Sequence, residues 1–158
     1  MIRIRYSPGE YEIAGSPAEL RIVADHLKRL AVDGVEETIA CDDAFDPKPY
    51  AFLLPRLRLT RKEEKDRVFV SQDELVLSAS GQGLLRLASF FDMPDDIEDG
   101  YHTHHEFFAG NAYIATDSLP LVVTVERIRP NQALEPTSTA VTPPADAGDR
   151  ASGTRGSS

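Results

Sequence analysis

The stretch "RIRYSPGEYEIAGSPAELRIVADHL", residues 3–27, decides the fold once it is laid without gaps over "RVFVSQDELVLSASGQGLLRLASFF", residues 67–91. Arg3, Ser7, Glu10, Ser16, Leu20 and Ala24 then meet identical residues at Arg67, Ser71, Glu74, Ser80, Leu84 and Ala88. Each copy opens with two short alternating segments around a turn, Ser7-Pro8-Gly9 or Ser71-Gln72-Asp73, the pattern of a β-hairpin. A helix follows in both. In the first copy Ser16 is the N-cap, Pro17 takes the first helical position, where a missing N–H costs nothing, and Glu19 completes a capping box. Leu20, Val23, Ala24 and Leu27 form an i, i+3, i+4, i+7 stripe that Leu84, Leu87, Ala88 and Phe91 repeat. The capping serine, the turn and the stripe all keep register. The sequence thus predicts a duplicated β-hairpin-helix unit, over about residues 2–46 and 66–128.

Working outward, "EETIAC" (36–41) and "YAFLLPRLRL" (50–59) read as further strands between the copies, with Pro47 and Pro49 punctuating the join. After the second helix, "YHTHHEFF" (101–108) and "PLVVTVERI" (120–128) are strand-like. The expectation is an α+β domain over residues 1–128, a mostly antiparallel sheet with two helices on one face. From Arg129 the chain has no aromatic residue and neither helical nor strand periodicity, and is rich in Pro, Ala, Ser, Thr and Gly. Such a segment buries too little apolar area to offset its ordering entropy, so residues 129–158 read as a disordered low-complexity tail. Its opening "NQALEPT" resembles the translated ends of dispersed genomic repeats that follow unrelated small bacterial proteins.

The chain of 158 residues carries a net charge of -9, all of it within residues 1–128, because three arginines and three carboxylates cancel in the tail. That sign repels nucleic acid and anionic lipid and favours basic partners. No apolar run approaches the roughly 20 residues that span a bilayer, and the N-terminus lacks the apolar stretch of a secretory signal, so cytoplasmic residence is the expectation. The single cysteine, Cys41, can neither pair internally nor form a Cys-x-x-Cys site, and in "TIACDD" it reads as a small buried hydrophobe rather than a nucleophile.

If "YHTHHEFF" is extended, His102, His104 and Glu106 share one face and Tyr101, Thr103, His105 and Phe107 the other. Two imidazoles and a carboxylate make a partial metal site, but a closed one needs a ligand from elsewhere, such as Cys41 or one of Asp42, Asp43 and Asp46. A solvent-facing polar strand with no metal or cofactor is the favoured reading. No hydrolase, zinc-protease or nucleotide-loop motif occurs, and "SGQGLL" (80–85) reads as a helix cap rather than a phosphate cradle. The loop "FDMPDDIEDGYH" (91–102) gathers Asp92, Asp95, Asp96, Glu98 and Asp99 between Pro94 and Gly100. Such a cluster repels itself unless basic groups approach, which makes it a candidate surface for a basic partner. These five acids, with His102, His104 and Glu106, are the candidate partner-binding residues.

Gly15, Ser16, Pro17 and Leu20 in the first unit are followed later by His102, His104, Glu106, Phe107, Phe108, Gly110, Tyr113 and Ile114, and then by Ser118, Pro120, Leu121 and Val122. This series resembles the immunity protein 32 family of bacterial polymorphic toxin systems, over most of residues 1–128. Two positions depart from the pattern: His105 stands where an apolar residue is expected, and Ala79 replaces a glycine. The resemblance implies a small cytoplasmic protein that binds and blocks a cognate toxin, with no catalysis of its own. A metal-binding module or metal-dependent enzyme built on the histidine strand, and a general interaction domain, are the alternatives. Oligomeric state is left open.

Overall fold

In the computed structural model, residues 1–44 and 46–127 are described. The tail expectation for 129–158 lies outside them. The chain runs β1 (Arg3–Ser7), β2 (Glu10–Gly15), α1 (Pro17–Asp33), β3 (Glu37–Ala40), β4 (Phe52–Leu54), β5 (Arg56–Arg61), β6 (Arg67–Ser71), β7 (Glu74–Ala79), α2 (Gly81–Phe91), β8 (His102–His105) and β9 (Leu121–Val125). The α+β class with two helices is as expected. The strands, however, form two mixed sheets in place of one, with orders β4-β1-β2-β9-β8 and β3-β5-β7-β6.

Both hairpins form at the anticipated turns. Arg3 pairs with Ala14 and Ser7 with Glu10 in β1–β2, and the residues 64 positions later pair in the same way, Arg67 with Ser78 and Ser71 with Glu74. Two-residue hairpin loops demand positive φ, which Gly9 supplies at 100° and Gln72 at 59°. Ser16 caps α1, its side chain accepting from the Glu19 amide while Glu19 reaches back to the Ser16 amide. Gly34 ends the helix in the left-handed conformation, with its N–H donating to the Leu30 carbonyl. Ser80 caps α2 through the Gly83 amide.

The two halves exchange strands. The β1–β2 hairpin pairs in parallel with β9, Tyr11 opposite Leu121, and the β6–β7 hairpin pairs in parallel with β5, Leu75 opposite Leu57. β3 and β8 extend the two sheets antiparallel to β5 and β9. Helix α1 therefore carries the chain from the first sheet to the second, and α2 carries it back. Prolines mark the places where a strand leaves one sheet for the other. "YAFLLPRLRL" is not one strand, because Pro55 lacks the N–H that a continuous ladder needs; β4 lies in the first sheet and β5 in the second. In the later half the Leu119 N–H donates to the Val68 carbonyl of β6, and past Pro120 the chain joins β2.

One face of each sheet carries Ile4, Ile13, Leu121 and Val123, or Leu57, Leu59, Leu75 and Leu77. These pack with the anticipated helix stripes into a single core. On the opposite face of the first sheet, Arg3, Arg5 and Glu12 are also buried, because Arg5 lies 2.9 Å from Glu12 and 2.8 Å from Glu126, and stacks over Tyr50. Burial, together with its hydrogen bond to Glu12, pushes the Tyr50 hydroxyl up to about 12.

Gly83 has a role that its helical position hides. A Cβ there would lie 2.1 Å from Asp66 Oδ1 and 2.7 Å from the Ala79 Cβ. Asp66 cannot retreat, since its N–H donates to the Tyr113 carbonyl and its carbonyl accepts from the Ala115 N–H. Glycine thus lets a buried carboxylate reach the positive end of α2. Replacing glycine by alanine in a helix ordinarily gains about 1 kcal/mol. Here Gly83→Ala is expected to lose about 2 kcal/mol or more by overpacking, read as a lower urea midpoint at unchanged slope.

Candidate partner-binding surface

The acidic loop has basic neighbours within its own chain. Lys28 of α1 lies 2.9 Å from Asp92, which holds the ammonium pKa above its usual range, and Arg21, one heptad earlier on the same helix, lies 2.6 Å from Asp95. Arg21 also donates to the Met93 carbonyl, while the Arg127 backbone N–H donates to Asp99 and its guanidinium to the Asp95 carbonyl. Met93 is buried and Ile97 half-buried beneath the loop. Three of the five acids therefore hold the loop onto α1 and the end of β9. Of the five, only Asp96 and Glu98 are exposed with side chains that make no ion pair or hydrogen bond among the described residues.

Strand β8 is shorter than expected. It covers His102–His105, so Glu106 does not share its pleat; Glu106, Phe107 and Phe108 instead open an exposed loop. His102 and His104 do share a face, with rings edge to face at 5.1 Å. Cys41 is buried, and burial pushes its thiol up to about 12, which disfavours the thiolate that nucleophilic attack needs. Among the described residues no group of three or more His, Cys, Asp or Glu is arranged to hold a metal ion.

The loop after β8 exposes Phe107, Phe108 and Tyr113 and is nevertheless firmly held. The Asn111 side chain accepts from the Tyr113 and Ile114 amides, Ile114 is buried, and Ser118 accepts from the Val68 N–H at 2.9 Å. Its main joint is Asp66, which is 1% exposed. Besides its two backbone bonds to the loop, Asp66 receives Arg86 of α2 on both oxygens, at 2.9 to 3.1 Å. The Arg86 guanidinium then stacks on the Tyr113 ring, 4.5 Å from its centroid. One residue, at the entry to β6, thus ties α2 through its carboxylate and the loop through its backbone. His105, on the inner side of β8, lies with Nε2 3.7 Å from the same carboxylate.

Exposed aromatic side chains on a rigid base, rimmed by charge, are the composition of a protein-binding patch. Beside Phe107, Phe108 and Tyr113, the side chains of Asp96, Glu98, His102, His104 and Glu106 are exposed as well. The aromatics were quoted in the sequence as motif residues, but their exposure depends on where β8 ends. Asp66 and Arg86 were not singled out at all, since a pair 20 residues apart on a strand and a helix has no periodic signature.

The family model described as Immunity protein 32 matches residues 10–45 and 74–128. No curated protein and no solved structure matches the chain.

Removing Arg86 would strand a carboxylate that is 99% buried, whereas removing Lys28 would free one that water already reaches. Arg86→Ala is therefore expected to cost about 2–3 kcal/mol and Lys28→Ala less than about 1 kcal/mol. Urea unfolding of the two variants beside the parent checks the order; equal costs would show that Asp66 is not a structural joint.

Proposed function

The chain belongs to the immunity protein 32 family, and from that premise we propose that it neutralises a cognate bacterial toxin by binding it stoichiometrically in the cytoplasm, with no catalysis of its own. The observation that carries this reading is that the match takes in residues 74–128, the segment presenting Glu106, Phe107, Phe108 and Tyr113 on a loop braced by Asp66. Rigid aromatic anchors lose little entropy on association, which suits tight inhibition. No described helix is long and apolar enough to cross a membrane.

Co-expression with the toxin domain encoded beside the gene tests the proposal. The chain is expected to restore growth and to co-elute with the toxin domain as a stoichiometric complex; growth arrest without a complex would overturn it.

The acidic loop's part in recognition is narrower than its composition suggested. Asp92, Asp95 and Asp99 serve the fold, so reversing them would confound binding with stability. Asp96 and Glu98, free of such contacts, are the acids available to steer a basic toxin surface. Rim charges act mainly on association, and through screening they impose salt dependence. Asp96→Lys with Glu98→Lys is expected to slow association several-fold at low salt and to flatten its salt dependence. The dissociation rate should stay near that of the parent. Stopped-flow mixing with the toxin domain across ionic strength reads both, and unchanged association would remove the loop from the interface.

A further inference from the structure

Strand β8 is an outer edge of the first sheet, and no described strand lies beyond it. The Val125 N–H donates to the Tyr101 carbonyl, and the bonds of an antiparallel ladder alternate along the strand, so Thr103 and His105 turn their backbone groups towards β9. His102 and His104 turn theirs to the open edge. Native edges are commonly blunted by lysine, proline or a bulge, but His102–His105 contain neither residue and pair with β9 without interruption. A second copy running antiparallel about a twofold axis at Thr103 sets His102 of each chain opposite His104 of the other. Both pairs can then exchange N–H and C=O groups.

The same two residues project exposed imidazoles from the face opposite the core, with ring centroids 5.1 Å apart. A tetrahedral zinc ion bound by two imidazoles at about 2.0–2.1 Å sets their centroids roughly 5 Å apart. His102 Nδ1 lies 3.2 Å from the Gly100 carbonyl, which can only accept, so Nδ1 carries the proton and Nε2 presents the lone pair. A hydrogen bond of this kind orients a histidine for metal binding. One chain supplies only these two ligands, because no third His, Cys, Asp or Glu is grouped with them among the described residues. Zinc in a closed site takes four. Directly opposed residues of paired strands share a face, so the twofold brings all four imidazoles together.

We infer that two copies of this chain meet edge to edge along β8 and hold one zinc ion between them through His102 and His104 of each. Neither the ion nor the second copy depends on the toxin-binding reading. Edge pairing alone does not hold the copies together, since an edge of four residues falls far short of the about 800 Å² that each partner buries in a standard interface. The net charge of -9 on each chain also opposes association. A divalent cation with four imidazole ligands supplies the missing attraction and lessens that repulsion, so the dimer forms only with the metal.

The test is light scattering on the eluting full chain, with EDTA, zinc chloride or magnesium chloride, beside calorimetric titration with zinc. The mass is expected to double with zinc alone, because magnesium prefers oxygen ligands, and the titration to saturate at one zinc per two chains. His102→Ala with His104→Ala removes two exposed side chains and should leave a folded monomer at every zinc concentration. Amide hydrogen exchange reads the edge: the His102 and His104 N–H groups should exchange about tenfold or more slowly in the zinc complex than in EDTA. An unchanged mass, one zinc per chain, a dimer that persists in EDTA, or zinc-driven pairing of the double variant would each overturn the assignment. So would unprotected His102 and His104 amides in the zinc complex.

Discussion

Parallel pairing of β2 with β9 closes this fold. Tyr11 through Gly15 lie opposite Leu121 through Val125, so the first hairpin has no finished sheet until the last strand arrives. The second sheet differs, because its four strands all come from residues 37–79 and its parallel pair, β5 with β7, is joined by the short excursion through β6. A segment that assembles locally pays less loop-closure entropy than one joining distant parts of the chain. The second sheet with its helices can therefore form early, and the first sheet is sealed late. The loop after β8 immediately precedes β9, so its placement depends on that late step. Its attachment to β6 through Asp66, Val68 and Ser118 anchors it to the sheet that is complete without β9.

The same topology explains why a charged residue is buried at Asp66. Where the chain passes from one sheet to the other, backbone groups of β6 face a segment that is not a regular strand. Asp66 meets that segment with both its N–H and its carbonyl, and its side chain takes Arg86 in a bidentate pair. In the other half β4 pairs regularly with β1, Ile4 opposite Leu54, and needs no such device. The two halves thus share hairpin registers and parallel pairings but differ where the second half presents its exposed loop.

Local chemistry was legible in the sequence. The turns at Pro8–Gly9 and Gln72–Asp73, the caps Ser16 and Ser80, and both apolar stripes stand where the residue pattern places them. Each depends on residues within a few positions of one another. The division into two sheets was not legible, because strand partners are chosen by contacts between distant segments, and alternation along a strand does not name its neighbour. Pro55 was the one local clue that β4 and β5 belong to different sheets. The internal neutralisation of the acidic loop was half-visible: Arg21 and Lys28 lie seven apart on one face of α1, but only the packing of α1 against α2 brings them to Asp95 and Asp92.

Division of labour within the proposed interface follows from these placements. Asp96 and Glu98 lie in water, where charge acts over several ångströms but each pair contributes little once formed. Phe107, Phe108 and Tyr113 expose apolar area on a backbone already held by Asp66 and Asn111, and covering such area removes it from water. The first kind of site governs how often partners meet, and the second how long they stay. An inhibitor must outlast its toxin's chances to act, so persistence is the more demanding requirement. In the proposed interface that requirement falls to the aromatic side chains of the loop that Asp66 and Arg86 brace, because a backbone already held in place leaves little to order on binding.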